Sequence, residues 1–550
     1  MDWNKLLNEE RPSGEKFAEN PNLKITPFER DYFTIVESSY FRRLQRKTQV
    51  YTLDENDYVR TRLTHSMEVA ATAELLGRRI ASKIIERGVE VDHSETFLDR
   101  LSMVLRCAGL LHDLGNPPFG HKGEEYIRHF FKDNEEKLRK DLSDQMWNDL
   151  INYDGNTHTL RIITRLGTSS NPKSQGYGMD LTNAVINSIV KYPWNSLEVD
   201  RRPRDDAGNP KEGKIGYYHS EEWIIKKIVA TKTGTFEDNV MLKDPIMLIM
   251  EAADDIAYAT ADIEDAIKTN RIDINDFLEI IREGAGNTGD DKFIRRKIME
   301  IREKSMDHVI KKFMENYNTI MNGNFEGNLI DDLGDGSHIF LKELKKLVSA
   351  IYKKRDDSNE YRYQARQKIE AILSRLTEIV LKDETERNFE DAMIMEEMRQ
   401  YTEKADKEIN RNNNESRYYQ YYLAIVDYLS GMTDSYITIF SDRLHSDYYE
   451  KKADDYKKDC LMELLNVSRF YQCDKVVEKI SKVRTGNWSD KEKGIMLLLY
   501  LRNNQINGAA RNNHQVKAFF RGIACAYNVD GGSFSNEEKE RIESELLGED

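Results

Sequence analysis

The 550-residue sequence has only four cysteines, Cys107, Cys460, Cys473 and Cys525, and none of them forms a CxxC pair. Cysteines this few and scattered exclude a disulfide framework and a zinc ribbon, and they are typical of a reducing compartment.

Long hydrophobic runs are missing too. The longest strongly apolar stretch, 495–501, is far shorter than the roughly 20 residues that span a bilayer. The N-terminus lacks the apolar core of a signal peptide. We therefore expect a soluble, cytoplasmic protein.

Proline is absent from the C-terminal half, because all ten prolines lie at or before Pro245. Helices are what proline chiefly interrupts, so long helices are expected there. We find no convincing strand alternation and no internal repeat, and we predict an all-α fold: a helical catalytic core with a long helical C-terminal region. One stretch repeats its apolar residues at three- and four-residue steps, as a helix requires: Ile369, Ile372, Leu373, Leu376, Ile379 and Val380.

Composition favours a folded protein of more than one core. Charged residues make up 33% of the chain and hydrophobic residues 39%, which is not the composition of a disordered chain. The length exceeds one ordinary core. We predict an N-terminal extension at 1–39, a catalytic core at 40–300 and a helical region at 301–550 that contributes to the pocket and to oligomerisation. Loops are predicted at 168–180 and 198–216, and a turn at 411–416.

The net charge of −15 limits the partners. An acidic chain gains nothing from bulk attraction to nucleic acid, so a bound polyanion needs a local basic pocket or metal ions. Single-stranded DNA is therefore a poor primary partner, although a basic patch on an oligomer would still bind it.

Three segments carry residues suited to a metal. His65 lies where Arg62 to Ser66 opens a helix, and His112 with Asp113 ends an apolar helix before Gly115 and Pro117. The third segment is 251–258, which contains Asp254. Imidazole and carboxylate together suit a divalent metal that keeps open positions for water and phosphate. Each segment alone has a plain structural explanation, but an ionised Asp at an apolar helix end needs a partner. The predicted ligands are His65, His112, Asp113 and Asp254.

A second pair follows the His-Asp pair. If a helix begins near Gly120, His121 and Glu124 share one face. A carboxylate beside an imidazole stabilises the imidazolium and orients the ring, as acid–base catalysis requires. On spacing alone, a surface His-Glu pair explains the pattern equally well.

The order of these motifs resembles that of the HD superfamily, and more narrowly the deoxyguanosine triphosphate triphosphohydrolases, relatives of the animal SAM-and-HD-domain dNTPase. The resemblance extends from about residue 40 to 440, and its motifs are highly specific in their joint order. They lie at 43–50, 62–68, 112–124, 153–161, 191–194, 252–266 and 431–434.

The resemblance implies hydrolysis of dGTP, and of other dNTPs as an open possibility, to a deoxynucleoside and inorganic triphosphate with Mg²⁺ or Mn²⁺. It assigns the four metal ligands as above and makes His121 and Glu124 the catalytic dyad. It further implies a homo-oligomer, for which we favour a hexamer over a tetramer. Substrate contacts are expected from Gln49, Arg62, Asn156, Lys191, Tyr192, Lys214, Tyr258 and Asp262.

Within that set, Asp254, Tyr258 and Asp262 are spaced i, i+4, i+8 and so share one helix face. The resemblance places Tyr258 against the sugar, and Gln49 and Asp262 at the 3′ hydroxyl. A plain core tyrosine fits the spacing equally well. The chain departs from the family pattern after Asn156, where His158 adds a titratable group near the site.

Two other functions stay open at this point. One is an HD-type phosphodiesterase or nucleotidase, which has no need of the basic residues or of the dyad. The other is a non-catalytic module that binds nucleotide or single-stranded DNA, against which the complete set of ligands and dyad residues argues.

Overall fold

The computed structural model describes residues 1–15, 25–49, 59–92, 94–205, 207–281, 291–330, 344, 346–347, 359–382, 386–411, 416–449 and 451–452. Three features named above fall elsewhere. The cysteines other than Cys107, the apolar stretch 495–501, and 412–415 of the predicted turn lie outside the described residues.

The N-terminal part of the chain is built from helices with short connections. The α-helices are α1 Trp3–Leu6, α2 Pro27–Glu37, α3 Ser39–Arg43, α4 Arg62–Glu86, α5 Phe97–Leu111, α6 Gly120–Asp133, α7 Glu135–Leu138, α8 Asp144–Ile151, α9 Gly155–Arg161, α10 Asn183–Asn187, α11 Thr231–Thr233, α12 Pro245–Lys268, α13 Ile274–Ile280, α14 Asp291–Glu315 and α15 Tyr317–Met321. Single 3₁₀ turns occupy Leu44–Arg46, Pro172–Ser174, Val199–Arg201 and His219–Glu221, and π-helical turns occupy Ile162–Leu166 and Trp223–Ala230.

The proline-free part is helical as far as it is described, as predicted. Besides α12 to α15, its helices are α16 Asn359–Leu381, α17 Phe389–Glu397, α18 Arg399–Arg411, α19 Arg417–Ser430 and α20 Asp434–Leu444. The apolar residues that predicted the α16 pattern, from Ile369 to Val380, are all buried.

The all-α prediction is confirmed, with one small exception that the sequence did not indicate. Strands β1 Phe236–Glu237 and β2 Val240–Met241 pair in an antiparallel hairpin. Two residues per strand are too few to show an alternation. The turn is made by Asp238 and Asn239, both with positive φ, which matches the right-handed twist of a hairpin.

The described residues form two compact units. One comprises 1–330, 344, 346–347, 359–370, 416–419 and 426–438, and the other 371–411, 420–425 and 439–452, within the described ranges. All the predicted site residues lie in the first unit. In the described part of the chain, no helix combines the length and the apolar character needed to cross a membrane.

Helices α4 and α5 form the most extensive helix pair of the first unit, and α12 packs against both. Gly109 permits the close approach of α5 to α4, because a Cβ there would lie 2.5 Å from Cα of Ala70. The start of α4, the end of α5 and the middle of α12 carry the predicted metal ligands, so this packing brings the three segments together.

Candidate active site

Local capping and helix-ending signals place the predicted ligands where the sequence suggested. Thr61 caps α4 through a reciprocal hydrogen-bond pair with Thr64, so His65 lies in the first turn of the helix. Helix α5 ends at Leu111, and His112 follows as its C-cap. Asp254 lies within α12.

His112 has a fixed tautomer that suits a metal ligand. Its Nδ1 lies 2.8 Å from the carbonyl oxygen of Gly109, which can only accept, so Nδ1 carries the hydrogen in the neutral ring. The buried Nε2 has no hydrogen-bond partner among the described residues. It lies 3.5 Å from Oδ2 of Asp113 and 3.6 Å from Oδ1 of Asp254. A lone pair facing two carboxylates is unfavourable, and a cation between them removes the conflict.

His65 completes the cluster. Its Nε2 lies 3.2 Å from Oδ1 of Asp254, and its ring centroid is 5.4 Å from that of His112. One ligand atom each from His65, His112 and Asp113 lie within 4.8 Å of one another. Two nitrogens and two carboxylates with a preset tautomer fit a divalent metal ion.

The cluster is strongly polarised. Burial raises the pKa of Asp113, but Arg62 and the two histidines outweigh this effect and lower the pKa to about 2. The pKa of Asp254 is held below its usual range by His112, His65 and Lys191 against the effect of burial. Both carboxylates are therefore ionised at neutral pH. Burial lowers the pKa of His65, but Asp254 and the neighbouring carboxylates raise it above the ordinary value.

Arg62 lies at the cluster, as its spacing from His65 predicted. Its Nη1 donates to Oδ2 of Asp113 at 2.7 Å, and the side chain is buried. A Cβ on Gly120 would lie 2.6 Å from Nη2 of Arg62, so the guanidinium also borders the start of α6.

The His121–Glu124 pair is formed as predicted on one face of α6. Nδ1 of His121 lies 3.0 Å from Oε2 of Glu124. The side chain of His121 is 83% exposed whereas that of Glu124 is 4% exposed. Glu124 also accepts from the backbone N–H of Gly155 at 2.8 Å. The charge of Glu124 raises the pKa of His121, and burial of Glu124 is outweighed by His121 and Lys214, which lower its pKa to about 2.

A basic wall borders the cluster and the dyad. Nζ of Lys214 lies 3.3 Å from Oδ2 of Asp154 and 5.7 Å from the ring centre of Tyr192. Nζ of Lys191 lies 3.6 Å from Oε1 of Glu251. Lys214 acts electrostatically on the dyad, and Lys191 acts on Asp254.

Asn156 belongs to the same wall through Asp154, the N-cap of α9. Oδ1 of Asp154 accepts from the backbone N–H of Asn156 at 2.8 Å and from its Nδ2 at 2.7 Å. Asp154 therefore fixes both Lys214 and Asn156.

The three residues assigned to the sugar are less directly connected. Tyr258 and Asp262 lie on α12 beyond Asp254, and Asp262 is buried and acts on the pKa of His65. The side-chain oxygen of Gln49 is buried and has no hydrogen-bond partner among the described residues.

His158 is not an open titratable group. It is fully buried against Tyr153, with ring centroids 5.4 Å apart. Burial, with the charges of Arg161 and Lys47, lowers its pKa well below the usual value, so the ring is neutral.

Two residues that the sequence did not indicate contact the predicted site residues and hold them in place. Asn116 donates from Nδ2 to Oδ1 of Asp113, and Glu251 binds Lys191 and, at 2.8 Å, Lys243. Asn116 lies only three residues after Asp113, and this short spacing was the available signal. Glu251 lies three residues before Asp254, on the same helix face.

The arrangement is that of an HD-domain protein, and the HD domain family model matches residues 62–166. These residues include His65, the His112–Asp113 pair and the dyad.

Curated relatives define the family more narrowly. A deoxyguanosinetriphosphate triphosphohydrolase-like protein of Listeria innocua is 32% identical over 490 residues, which cover 81% of this chain and 99% of the relative. One of Pseudomonas aeruginosa is 29% identical over 458 residues, covering 80% and 97%. A deoxyguanosinetriphosphate triphosphohydrolase of Enterobacter is 29% identical over 516 residues, covering 79% and 96%. The chain belongs to the deoxyguanosine triphosphate triphosphohydrolase family of the HD superfamily.

Proposed function

We propose that this protein is a metal-dependent triphosphohydrolase that converts dGTP, and other deoxynucleoside triphosphates less efficiently, to deoxynucleoside and inorganic triphosphate. The observation that carries the proposal is the His121–Glu124 pair, on which both Arg62 of the His/Asp cluster and Lys214 act electrostatically. A phosphodiesterase or nucleotidase site has no need of that combination. The names of the curated relatives support the same substrate class.

His65, His112, Asp113 and Asp254 would hold the metal, which we propose to be Mg²⁺ or Mn²⁺ because both bind carboxylate and phosphate oxygens. When bound, such an ion neutralises phosphate charge and activates water. Arg62 holds Asp113 in place and keeps it ionised.

His121 acts as the acid of the dyad. Because Glu124 raises the pKa of His121, the imidazolium form is favoured, and this form can give a proton to the departing 5′ oxygen of the deoxynucleoside. In the balanced reaction, water adds to the α-phosphorus, the bond from that phosphorus to the 5′ oxygen breaks, and the proton from His121 completes the deoxynucleoside hydroxyl. The attacking water keeps one hydrogen on the new phosphate oxygen and gives up the other to solvent, from which His121 is reprotonated.

The basic residues bind the triphosphate. Lys191, Lys214 and Arg62 supply positive charge on a chain whose net charge is −15, which makes a placed cluster of cations necessary. Tyr192 and Asn156 add hydrogen-bond donors beside the lysines. Existing contacts to Glu251 and Asp154 hold the lysines in the wall before the substrate arrives.

The sugar is selected by Tyr258, with Asp262 and Gln49 at the 3′ hydroxyl. A ring against the sugar excludes a 2′ hydroxyl. The buried side-chain oxygen of Gln49, which has no hydrogen-bond partner in the described part of the chain, is an acceptor for a substrate hydroxyl. A site built to bind a hydroxyl rejects analogues that lack it.

We further propose a cytoplasmic homo-oligomer, a hexamer rather than a tetramer, with the catalytic core at 40–300. All proposed site residues lie between Gln49 and Asp262, and the HD match at 62–166 falls inside that range. Single-stranded DNA is a secondary partner at most, because the chain is acidic.

The proposal is tested by incubating the purified protein with each of the four dNTPs, with GTP and with a cyclic dinucleotide, in Mg²⁺ or Mn²⁺. We expect tripolyphosphate and deoxynucleoside, most rapidly from dGTP. Orthophosphate or a linear dinucleotide as the product indicates the phosphodiesterase or nucleotidase function instead. Nucleotide binding with no turnover in either metal indicates a non-catalytic module.

A further inference from the structure

Two polar side chains, those of Lys47 and Asp434, join three backbone segments next to the first turn of the dyad's helix. Nζ of Lys47 donates to the carbonyl oxygens of Asn116 and Ser430, both at 2.6 Å. Asp434 accepts from the backbone N–H of Thr48 at 2.9 Å and from that of Phe119 at 3.2 Å. We call Lys47 and Asp434 the clasp.

The clasp holds an unusual piece of backbone. Phe119 has φ of 65°, in the left-handed region that a residue with a Cβ rarely adopts. It immediately precedes α6 and is the N-cap of that helix, which carries the dyad. The backbone N–H of Phe119 donates the hydrogen bond that Oδ1 of Asp434 accepts. The orientation of the first turn of α6, and so of His121, depends on this residue keeping its conformation.

We propose that Asp434 is a positioning residue for the catalytic dyad: by holding the amide of Phe119 it fixes the left-handed turn that aims His121. Lys47 closes the same junction from the other side. The clasp also ties the turn to the segment that carries Gln49, so both sides of the substrate pocket share one support. The inference rests on the proposed function for its kinetic arm only.

Asp434 has a second role that any test must separate. It is the first residue of α20, where a carboxylate stabilises the helix N-terminus. The matched control is Asp442→Ala, because Asp442 is an exposed carboxylate on the same helix. If Asp434→Ala fails to fold, Asp434→Asn keeps the side-chain shape while replacing one acceptor oxygen with a donor.

The contact itself is tested without any turnover. In Asp434→Ala, amide hydrogen exchange is expected to accelerate in peptides that contain Thr48 and Phe119, and to stay as in the wild type in Asp442→Ala. Unchanged exchange at both amides would overturn the clasp. This arm stands even if the protein hydrolyses no nucleotide.

The positioning role is tested by kinetics with dGTP. We expect Asp434→Ala to lower kcat by roughly ten- to a hundredfold, because small misplacements of catalytic groups are costly. We expect KM to change less than threefold and the metal content to remain. A kcat within twofold of the wild type would contradict the role.

A backbone rescue separates positioning from helix capping. In the Asp434→Ala background, Phe119→Gly removes the cost of the left-handed conformation, whereas Phe119→Ala removes the same ring and keeps that cost. We expect the glycine double variant to have a kcat at least about fivefold above that of the alanine one. Equal rates for the two double variants would mean that Asp434 acts only through α20.

Discussion

Nδ1 of His121 lies 3.0 Å from Oε2 of Glu124, with the imidazole open to solvent and the carboxylate buried. This difference in exposure suggests a different role for each residue of the pair. Glu124 is ionised and anchored by the amide of Gly155, so it orients the ring and favours its protonated form. In the proposed mechanism, His121 is the member that reaches the substrate.

The pair predicts a pH dependence. Glu124 raises the pKa of His121, so the proton-donating form is present below that raised pKa and is lost as pH rises through it. Glu124→Gln removes the negative charge and should move the alkaline limb of the kcat–pH profile to lower pH. The matched control is Glu125→Gln on the same helix, which should leave the limb in place. An alkaline limb unmoved by Glu124→Gln would assign it to another group.

The cluster predicts metal loss with retention of the fold. His112→Ala or Asp113→Ala should abolish bound metal and hydrolysis while far-ultraviolet circular dichroism stays helical, because each removes a ligand at a helix end. Metal content measured by mass spectrometry is the readout, with the exposed His445→Ala as control. Metal and turnover near wild-type levels in either ligand variant would remove that residue from the site.

The sugar gate predicts a change in selectivity. Tyr258→Ala should narrow the difference in kcat/KM between dGTP and GTP, since the ring that excludes the 2′ hydroxyl is gone. Tyr258→Phe keeps the ring and should keep the discrimination. If the wild type hydrolyses GTP and dGTP equally well, Tyr258 is not a gate, although the metal site is untouched by that result.

The close approach of α4 and α5 predicts a stability difference between two glycines. Gly109→Ala places a Cβ 2.5 Å from the backbone of Ala70 and should destabilise the fold by about 1–3 kcal/mol. In Gly77→Ala the near atom is the Cδ1 of Leu105, also at 2.5 Å, which can move. Denaturant unfolding should therefore show the larger loss for Gly109→Ala, and equal losses would contradict this account of the packing.

Much of the helical frame was predictable because its signals are local. The start of α4 and the end of α5 at the His-Asp pair each have a capping or helix-ending residue close in sequence. The proposed metal ligands and the proposed dyad could be picked out for the same reason, with the family resemblance joining them. The start of α6 has no capping signal, because its N-cap Phe119 makes no side-chain capping bond. The short hairpin had no comparable signal.

The supporting contacts were not predictable because they are long-range. Asp434 meets Phe119 across more than 300 positions of sequence, and Lys47 reaches two backbone carbonyls that have no sequence signature. The neutral, buried state of His158 is likewise a product of tertiary packing.

Tripolyphosphate release from dGTP is the most direct test of the proposed function. Three proteins are loaded with Mn²⁺ and assayed for deoxyguanosine and tripolyphosphate: the wild type, His121→Ala and the control His129→Ala. His129 is another histidine on α6. We predict equal amounts of the two products from the wild type and the His129 variant. For His121→Ala we predict a rate lower by roughly two to four decades with metal retained. Wild-type products other than tripolyphosphate, or an undiminished rate in His121→Ala, would contradict the account.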